Sequence, residues 1–190
     1  MIPPLILASS SPRRRELLLA AGLEDIRIIP ADVAESFDAS IGLGPLVEAN
    51  ARAKAVEVAT RYPDDVVLGA DTLVWMDGQP LGKPGDPAEA RRMLASLSGR
   101  THEVATGVHL VQMRRDIRAE FHEVTRVTFR RLSDATLDEY LARVDVLDKA
   151  GAYALQDHGE LIVESVEGSH SNVIGLPVER TLAALRRFGD

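Results

Sequence analysis

The sequence predicts an α/β fold, with a mixed sheet flanked by helices. Helical and extended patterns alternate along the chain, with no repeat or low-complexity tract between them. One segment, 66–76, is long and almost wholly apolar, as a strand covered on both faces would be. Segments 101–113 and 117–130 read as a long hairpin around Arg114-Arg115-Asp116, which a purely parallel sheet does not accommodate.

Taken in order, residues 2–8 are strand-like and 12–21 helical. Ser11 fits the N-cap and Pro12 the first helical position, where its missing N–H is not needed. Residues 26–29 form a short strand, and 30–44 an acidic, glycine-containing loop. A helix over 45–61 follows, then the apolar strand 66–76, closed by the turn residues Asp77-Gly78. Asp86-Pro87 opens a helix to Leu97, with Met93, Leu94 and Leu97 on one face. After the hairpin, Ser133 caps a helix through Val144 in which Leu137, Tyr140, Leu141 and Val144 share a stripe. Residues 160–166 are a strand, and 177–188 a closing helix with Val178, Leu182 and Leu185 inward.

Bulk composition excludes more than it selects. At 190 residues and 45% hydrophobic content, the chain suits one large domain or two small lobes sharing a cleft. Cysteine is absent, which rules out disulfides, a thiolate nucleophile and a cysteine metal site, and fits a reducing cytoplasm. No apolar run approaches the ~20 residues of a membrane span, and the N-terminus lacks the pattern of a signal peptide. No membrane partner is expected. A net charge of −7 and 4% aromatic residues argue against a nucleic-acid partner, since both a basic field and stacking platforms are lacking. A phosphate ligand would need a local basic cluster or a bound metal to oppose the overall field.

Such a cluster stands at the start of the first helix. Ser9, Ser10 and Ser11 run into Pro12-Arg13-Arg14-Arg15, placing three cations in a first turn. A helix N-terminus carries about half a positive charge, and each exposed cation there costs about 0.3–1 kcal/mol. An anion held by free N–H groups, hydroxyls and guanidinium forks would account for the misplacement; a solvated basic turn is the alternative. Further along, Lys54 falls in the middle of the helical stripe Val47, Ala51, Ala55 and Val58, either snorkelling to the rim or reaching an anion in a hollow between alanines. Asp71 interrupts the apolar strand, and a buried carboxylate needs a cation, a metal or a raised pKa. It is the foremost candidate for chemistry. Lys83, in the Gly/Pro-framed loop 81–85, follows closely enough to return to the same site or to remain an ordinary surface lysine. Glu35 in the acidic loop is a candidate to join Asp71 around a hard cation such as Mg²⁺. The five histidines lack zinc spacing, and His102 and His158 read as turn or surface residues. The segment 148–156 mixes small residues with polar tips, as a close-approach ligand loop or an ordinary turn would.

Taken together, these segments resemble the Maf family. The matching blocks are Leu7-Ala8-Ser9-x-Ser11-Pro12-Arg13-Arg14, Ala51-x-x-Lys54-Ala55, Gly69-Ala70-Asp71-Thr72 and Gly82-Lys83-Pro84. They continue with Ser98-Gly99-Arg100-Thr101-His102, Asp148-Lys149-Ala150-Gly151-Ala152-Tyr153 and Gly168-Ser169-x-x-Asn172-Val173-x-Gly175-Leu176-Pro177. They occur in the family's order across nearly the whole chain. The resemblance implies one domain over 1–190, similar in fold to the inosine triphosphate pyrophosphatases, with two lobes around a deep cleft. It implies a nucleoside triphosphate pyrophosphatase that uses water and a divalent metal, Mg²⁺ or Mn²⁺, to release a monophosphate and pyrophosphate. A nucleotide is then the small-molecule partner, and a homodimer is an expectation from the family alone.

On that implication, Arg13, Arg14, Lys54 and Lys83 clamp the triphosphate, Ser9 and Ser11 add neutral donors, and Glu35 and Asp71 hold the metal. Asp71 is also the proton acceptor; whether it serves first as ligand or as base stays open. Thr72 and Gln156 join the substrate-binding set. The branch resembling 7-methyl-GTP pyrophosphatases would place an aromatic residue at Arg13 and Gly-Ser-Asp-Gln at 69–72, whereas this chain resembles the dTTP/UTP branch. A glutamine amide at 156 can both donate to and accept from a pyrimidine O4/N3 edge. A 7-methyl-GTP pyrophosphatase and a slow nucleotide-binding regulator of septum formation are the alternatives. Asn50 departs from the family pattern, where an apolar residue is more usual.

Overall fold

The computed structural model describes residues 4–189, so Ile2 and Pro3 of the expected first strand lie outside the described residues. The elements are β1 (Leu5–Leu7), α1 (Pro12–Ala20), β2 (Ile26–Ile28), α2 (Leu43–Arg61), β3 (Val66–Met76), β4 (Gln79–Leu81) and α3 (Pro87–Leu97). They continue with β5 (Thr101–Gln112), β6 (Ile117–Phe129), α4 (Asp134–Arg143), β7 (Val163–Glu167), α5 (His170–Ile174) and α6 (Val178–Leu185). Among the described residues the strands form one mixed sheet in the order β2-β1-β3-β5-β6-β7, with β4 paired to β3. β1 runs parallel to β2 and β3; all other pairings are antiparallel. No helix among these residues is long and apolar enough to cross a membrane.

The amphipathic stripes fall where periodicity puts them. Val47, Ala51, Ala55 and Val58 of α2 are fully buried, as are Leu94 and Leu97 of α3. Leu137, Tyr140 and Val144 are buried with Leu141 packed beside them, and Leu185 of α6 is buried between the half-buried Val178 and Leu182. Asp86 and Ser133 cap their helices through side-chain bonds to Glu89 N and Thr136 N.

Two boundaries and two short elements depart from expectation, each for a local reason. α2 begins at Leu43 rather than Pro45, because proline is tolerated within a first helical turn. Asp77 and Gly78 both have positive φ, 52° and 76°, which makes the turn a tight hairpin and returns the chain as β4. That strand is three residues long and contains Pro80, so nothing in its composition announced it. β7 starts at Val163, not 160, since Gly159–Leu161 is a 3-10 turn. α5 was not foreseen, being too short for a period to register.

Two features of β3 create the space for a site. First, α2 lies unusually close to the sheet. A Cβ added at Gly69 would stand 2.3 Å from the Ala51 carbonyl oxygen, and one at Gly107 would stand 2.2 Å from that of Val47. Only glycine permits this approach. Second, β1 covers one edge of β3 over Val66–Leu68 and β4 covers it over Val74–Met76, while β5 covers the opposite edge over Val67–Trp75. Residues 69–73 therefore have no strand partner on one side. One hydrophobic cluster, with α3 and α4, includes Val74 beyond this gap, and another, with α1 and α6, includes Leu68 before it and Ala70 within it.

Candidate active site

At the gap lies a cavity of about 390 Å³. Ser9, Ser11, Arg13, Arg14, Glu35, Lys54, Asp71, Thr72, Lys83 and Gln156 all line it, so the structure brings every sequence-predicted site residue to one place.

Alternation along β3 aims Asp71 toward α2, on the same face as Gly69 and Leu73. Asp71 is only 3% exposed. Lys54 donates to both its neighbours, with Nζ 2.7 Å from Asp71 Oδ1 and 2.5 Å from Glu35 Oε1. The lysine therefore neither snorkels to solvent nor stands alone; it is the cation that the buried carboxylate required. The other Asp71 oxygen, Oδ2, accepts from Asn50 Nδ2 at 2.9 Å.

The basic first turn of α1 divides its cations. Arg14 is buried rather than solvated. Its Nε donates to Gly175 O at 2.9 Å, its Nη1 to Ser9 Oγ at 2.9 Å and its Nη2 to Thr72 Oγ1 at 3.0 Å. Burial lowers its pKa, while the Asp71 and Glu35 carboxylates oppose that fall; a guanidinium still remains protonated. Three of its five N–H groups are thus engaged by the protein, leaving two for a ligand. Arg13 reaches across the cavity to Asp148, Nη1 to Oδ2 at 2.9 Å. Ser11 occupies the N-cap position without a side-chain capping bond, and its N–H donates to Ser9 Oγ at 3.2 Å. The Ser11 hydroxyl and the first-turn N–H groups of α1 are therefore available to an anion.

The opposite wall comes from residues 148–156. Gly151 N donates to Gly82 O at 3.0 Å, tying this loop to the one that carries Lys83. Tyr140 Oη holds Ala154 from both sides, accepting from its N–H at 3.0 Å and donating to its carbonyl at 3.2 Å. Lys83 and Gln156 are exposed at the rim. Among the described residues Lys83 makes no ion pair. Thr72 Oγ1 lies 2.8 Å from Thr106 Oγ1 and 3.3 Å from Gly175 O, so its hydroxyl belongs to the Arg14 network.

Two residues depart from their sequence reading. His102 is neither a turn nor a surface residue: it is buried on β5, with Nε2 2.9 Å from Tyr153 Oη and its ring edge-on to Phe129 and Tyr153. Burial lowers its pKa to about 4. His158 does sit in a turn, at positive φ. Asn50, where the family pattern expects an apolar residue, is buried against Asp71. The available signal was its position one helical turn before Lys54, on the same buried stripe.

The donors suit a hard divalent cation shared with a ligand. Among the described residues no group of three or more histidines and carboxylates could hold a metal alone. Mg²⁺ is commonly bound by one or two carboxylates with the rest of its shell from phosphate and water, and Glu35 and Asp71 offer two carboxylates close together, both bonded to Lys54 Nζ.

The architecture defines a class, a mixed α/β fold with a polar cavity set into a break in its sheet. A HAM1 protein from Coxiella burnetii shares the fold, with a TM-score of 0.50 at 20% identity over 67% of this chain and 73% of that one. The family model described as Maf-like protein matches residues 4–188, and the chain belongs to the Maf family. Among its relatives, the dTTP/UTP pyrophosphatase of Akkermansia muciniphila is 50% identical over 100% of this chain and 98% of that protein. The dTTP/UTP pyrophosphatase of Moorella thermoacetica is 49% identical over 97% of this chain and 95% of its own.

Proposed function

We propose that this chain is a nucleoside triphosphate pyrophosphatase that hydrolyses dTTP and UTP to the monophosphate and pyrophosphate. The observation that carries the reading is the buried Asp71, held in the cavity by Lys54 and flanked by the cationic start of α1. Its similarity to dTTP/UTP pyrophosphatases over nearly the whole chain supports the substrate class.

Cleaving a phosphoanhydride asks a protein mainly to position the reactants and neutralise charge. Arg13, the two free N–H groups of Arg14, Lys54 and Lys83 line the cavity as the triphosphate clamp, with Ser9 and Ser11 as neutral donors. Asp148 occupies Arg13 in the free protein, so the triphosphate competes with that carboxylate for the guanidinium. Lys54, already between two carboxylates, gains phosphate oxygens as a third anionic partner. Asp71 orients a water toward the α-phosphorus and accepts its proton, and pyrophosphate leaves as the P–O bond breaks. Glu35 and Asp71 would hold a divalent ion, Mg²⁺ or Mn²⁺, which would supply charge neutralisation on the triphosphate. Gln156 at the rim reads the pyrimidine edge with one amide that both donates and accepts.

Pyrophosphate release from a panel of nucleoside triphosphates, compared as kcat/KM, tests this. dTTP and UTP should lead dATP, dGTP and 7-methyl-GTP. Gln156→Ala should cost the pyrimidines about 10-fold or more and the purines little, because the amide that reads the pyrimidine edge is lost. Preference for 7-methyl-GTP, or an equal loss across all nucleotides in that variant, would overturn the base assignment.

A further inference from the structure

We infer that Asn50 is a positioning residue, fastening the Glu35 loop and the Asp71 carboxylate into one unit; the inference rests on the pyrophosphatase reading for its kinetic consequence. Asn50 is 4% exposed and does not line the cavity, so it is placed to touch neither nucleotide nor metal. Its amide nevertheless makes three bonds. Nδ2 donates to Asp71 Oδ2 at 2.9 Å and to Ser36 O at 3.0 Å, while Oδ1 accepts from Ser36 N at 2.9 Å. Both ends of Asn50 thereby grip the backbone of Ser36, the residue after Glu35.

The geometry of the carboxylates depends on that grip. Glu35 lies in an exposed stretch, with no strand or helix from 29 to 42 except the 3-10 turn Ala39–Ile41. Its own contact to the site is the bond from Lys54. Ser36–Asn50 is a two-point backbone anchor one residue away, of the kind that fixes a loop in place of a ladder. At the same time Nδ2 holds Asp71 Oδ2, leaving Oδ1 to Lys54 and setting the carboxylate's rotation about its Cβ–Cγ bond. Asn50 and Lys54 sit four residues apart on α2, so a single helix face sets both oxygens of Asp71. Lys54 joins the same loop, helix and strand, but through the Glu35 side chain, whereas Asn50 holds the loop by its backbone. An apolar side chain would suit the rest of the stripe, which makes the polarity of Asn50 meaningful for the site.

The test uses N50L and N50D in the full chain. N50L removes all three bonds and suits the apolar surroundings; N50D keeps the size and the acceptor for Ser36 N but faces Asp71 with a second carboxylate. Both should lower kcat for dTTP by about 10-fold or more, because misplacing a reacting group costs rate rather than affinity. The Kd of an α,β-imido analogue of dTTP should change by less than about 3-fold, since Asn50 touches no substrate. N50L should also speed hydrogen exchange at the Ser36 amide, whereas N50D should do so less. An unchanged kcat in both variants, or analogue binding weakened by the same factor as the rate, would overturn the inference. Should N50L fail to fold, N50D alone decides the kinetic arm. If wild type hydrolyses neither dTTP nor UTP, the functional reading fails, and the exchange arm still decides the fastening: unchanged protection of Ser36 in N50L refutes it.

Discussion

Lys54 Nζ lies 2.7 Å from Asp71 Oδ1, with the two side chains 12% and 4% exposed. Asp71 is buried and Lys54 is mostly shielded from water, so neither partner can be removed without leaving the other in a poor environment. Lys54→Met should destabilise the free protein by about 2–3 kcal/mol, and the loss should shrink markedly in the Asp71→Asn background. A double-mutant cycle from urea unfolding reads the coupling directly. Strict additivity would mean that the two groups do not sense each other.

Arg13 contrasts with Lys54. Its bond to Asp148 joins side chains 22% and 53% exposed, and such pairs contribute about 0–1 kcal/mol. Arg13 also opposes the helix dipole. Arg13→Ala should therefore leave the melting temperature nearly unchanged while raising KM for dTTP by about 10-fold. A clear loss of stability without nucleotide would assign Arg13 to the fold instead.

His102 predicts a pH dependence of stability. Burial holds its folded pKa at about 4, below the ordinary value of 6.5. The unfolded chain binds the extra proton between these values, so the contribution is present above about pH 6.5 and is lost as pH falls toward 4. The whole shift corresponds to about 3 kcal/mol. His102→Phe keeps a ring beside Phe129 and Tyr153 and removes the titration. Its stability should start lower, because Tyr153 Oη loses a partner, but should fall less steeply on acidification. Equal slopes in urea denaturation at pH 4.5 and 6.5 would exclude His102 as the source.

The close approach of α2 is equally testable. Gly69→Ala would drive a methyl into the backbone at Ala51 and Ala55, at 2.3 and 2.7 Å. Neither neighbour is a flexible side-chain tip. The variant should lose about 3 kcal/mol, or about 10 °C in melting temperature for a chain of this size. A neutral result would show that α2 can retreat from the sheet without cost.

Much of this arrangement was legible before the fold was known, because its signals were violations of local rules. Asp71 interrupts an apolar strand, Lys54 interrupts an apolar helix stripe, and Arg13 and Arg14 crowd the wrong helix end. Periodicity likewise placed α3, β3, the β5–β6 hairpin and α4 nearly to the residue. Interactions distant in sequence were not legible. Asn50 bonds across 14 residues to Ser36 and across 21 to Asp71, and Arg14 reaches Gly175 across 161. His102 was misplaced because polarity suggested a surface, whereas a single bond to Tyr153 Oη and two edge-on ring contacts sustain its burial. The short β4 and α5 escaped because three to five residues carry no readable period.

The most direct measurement is pyrophosphate release from dTTP by Asp71→Asn, alongside binding of the α,β-imido analogue. Asparagine keeps the shape and a hydrogen-bonding oxygen but cannot accept the water's proton, and loss of such a group costs about 10²–10⁴-fold in rate. The account predicts a folded protein that binds the analogue and releases pyrophosphate at least about 100-fold more slowly than wild type. Turnover near the wild-type rate would remove Asp71 from the chemistry and contradict the account.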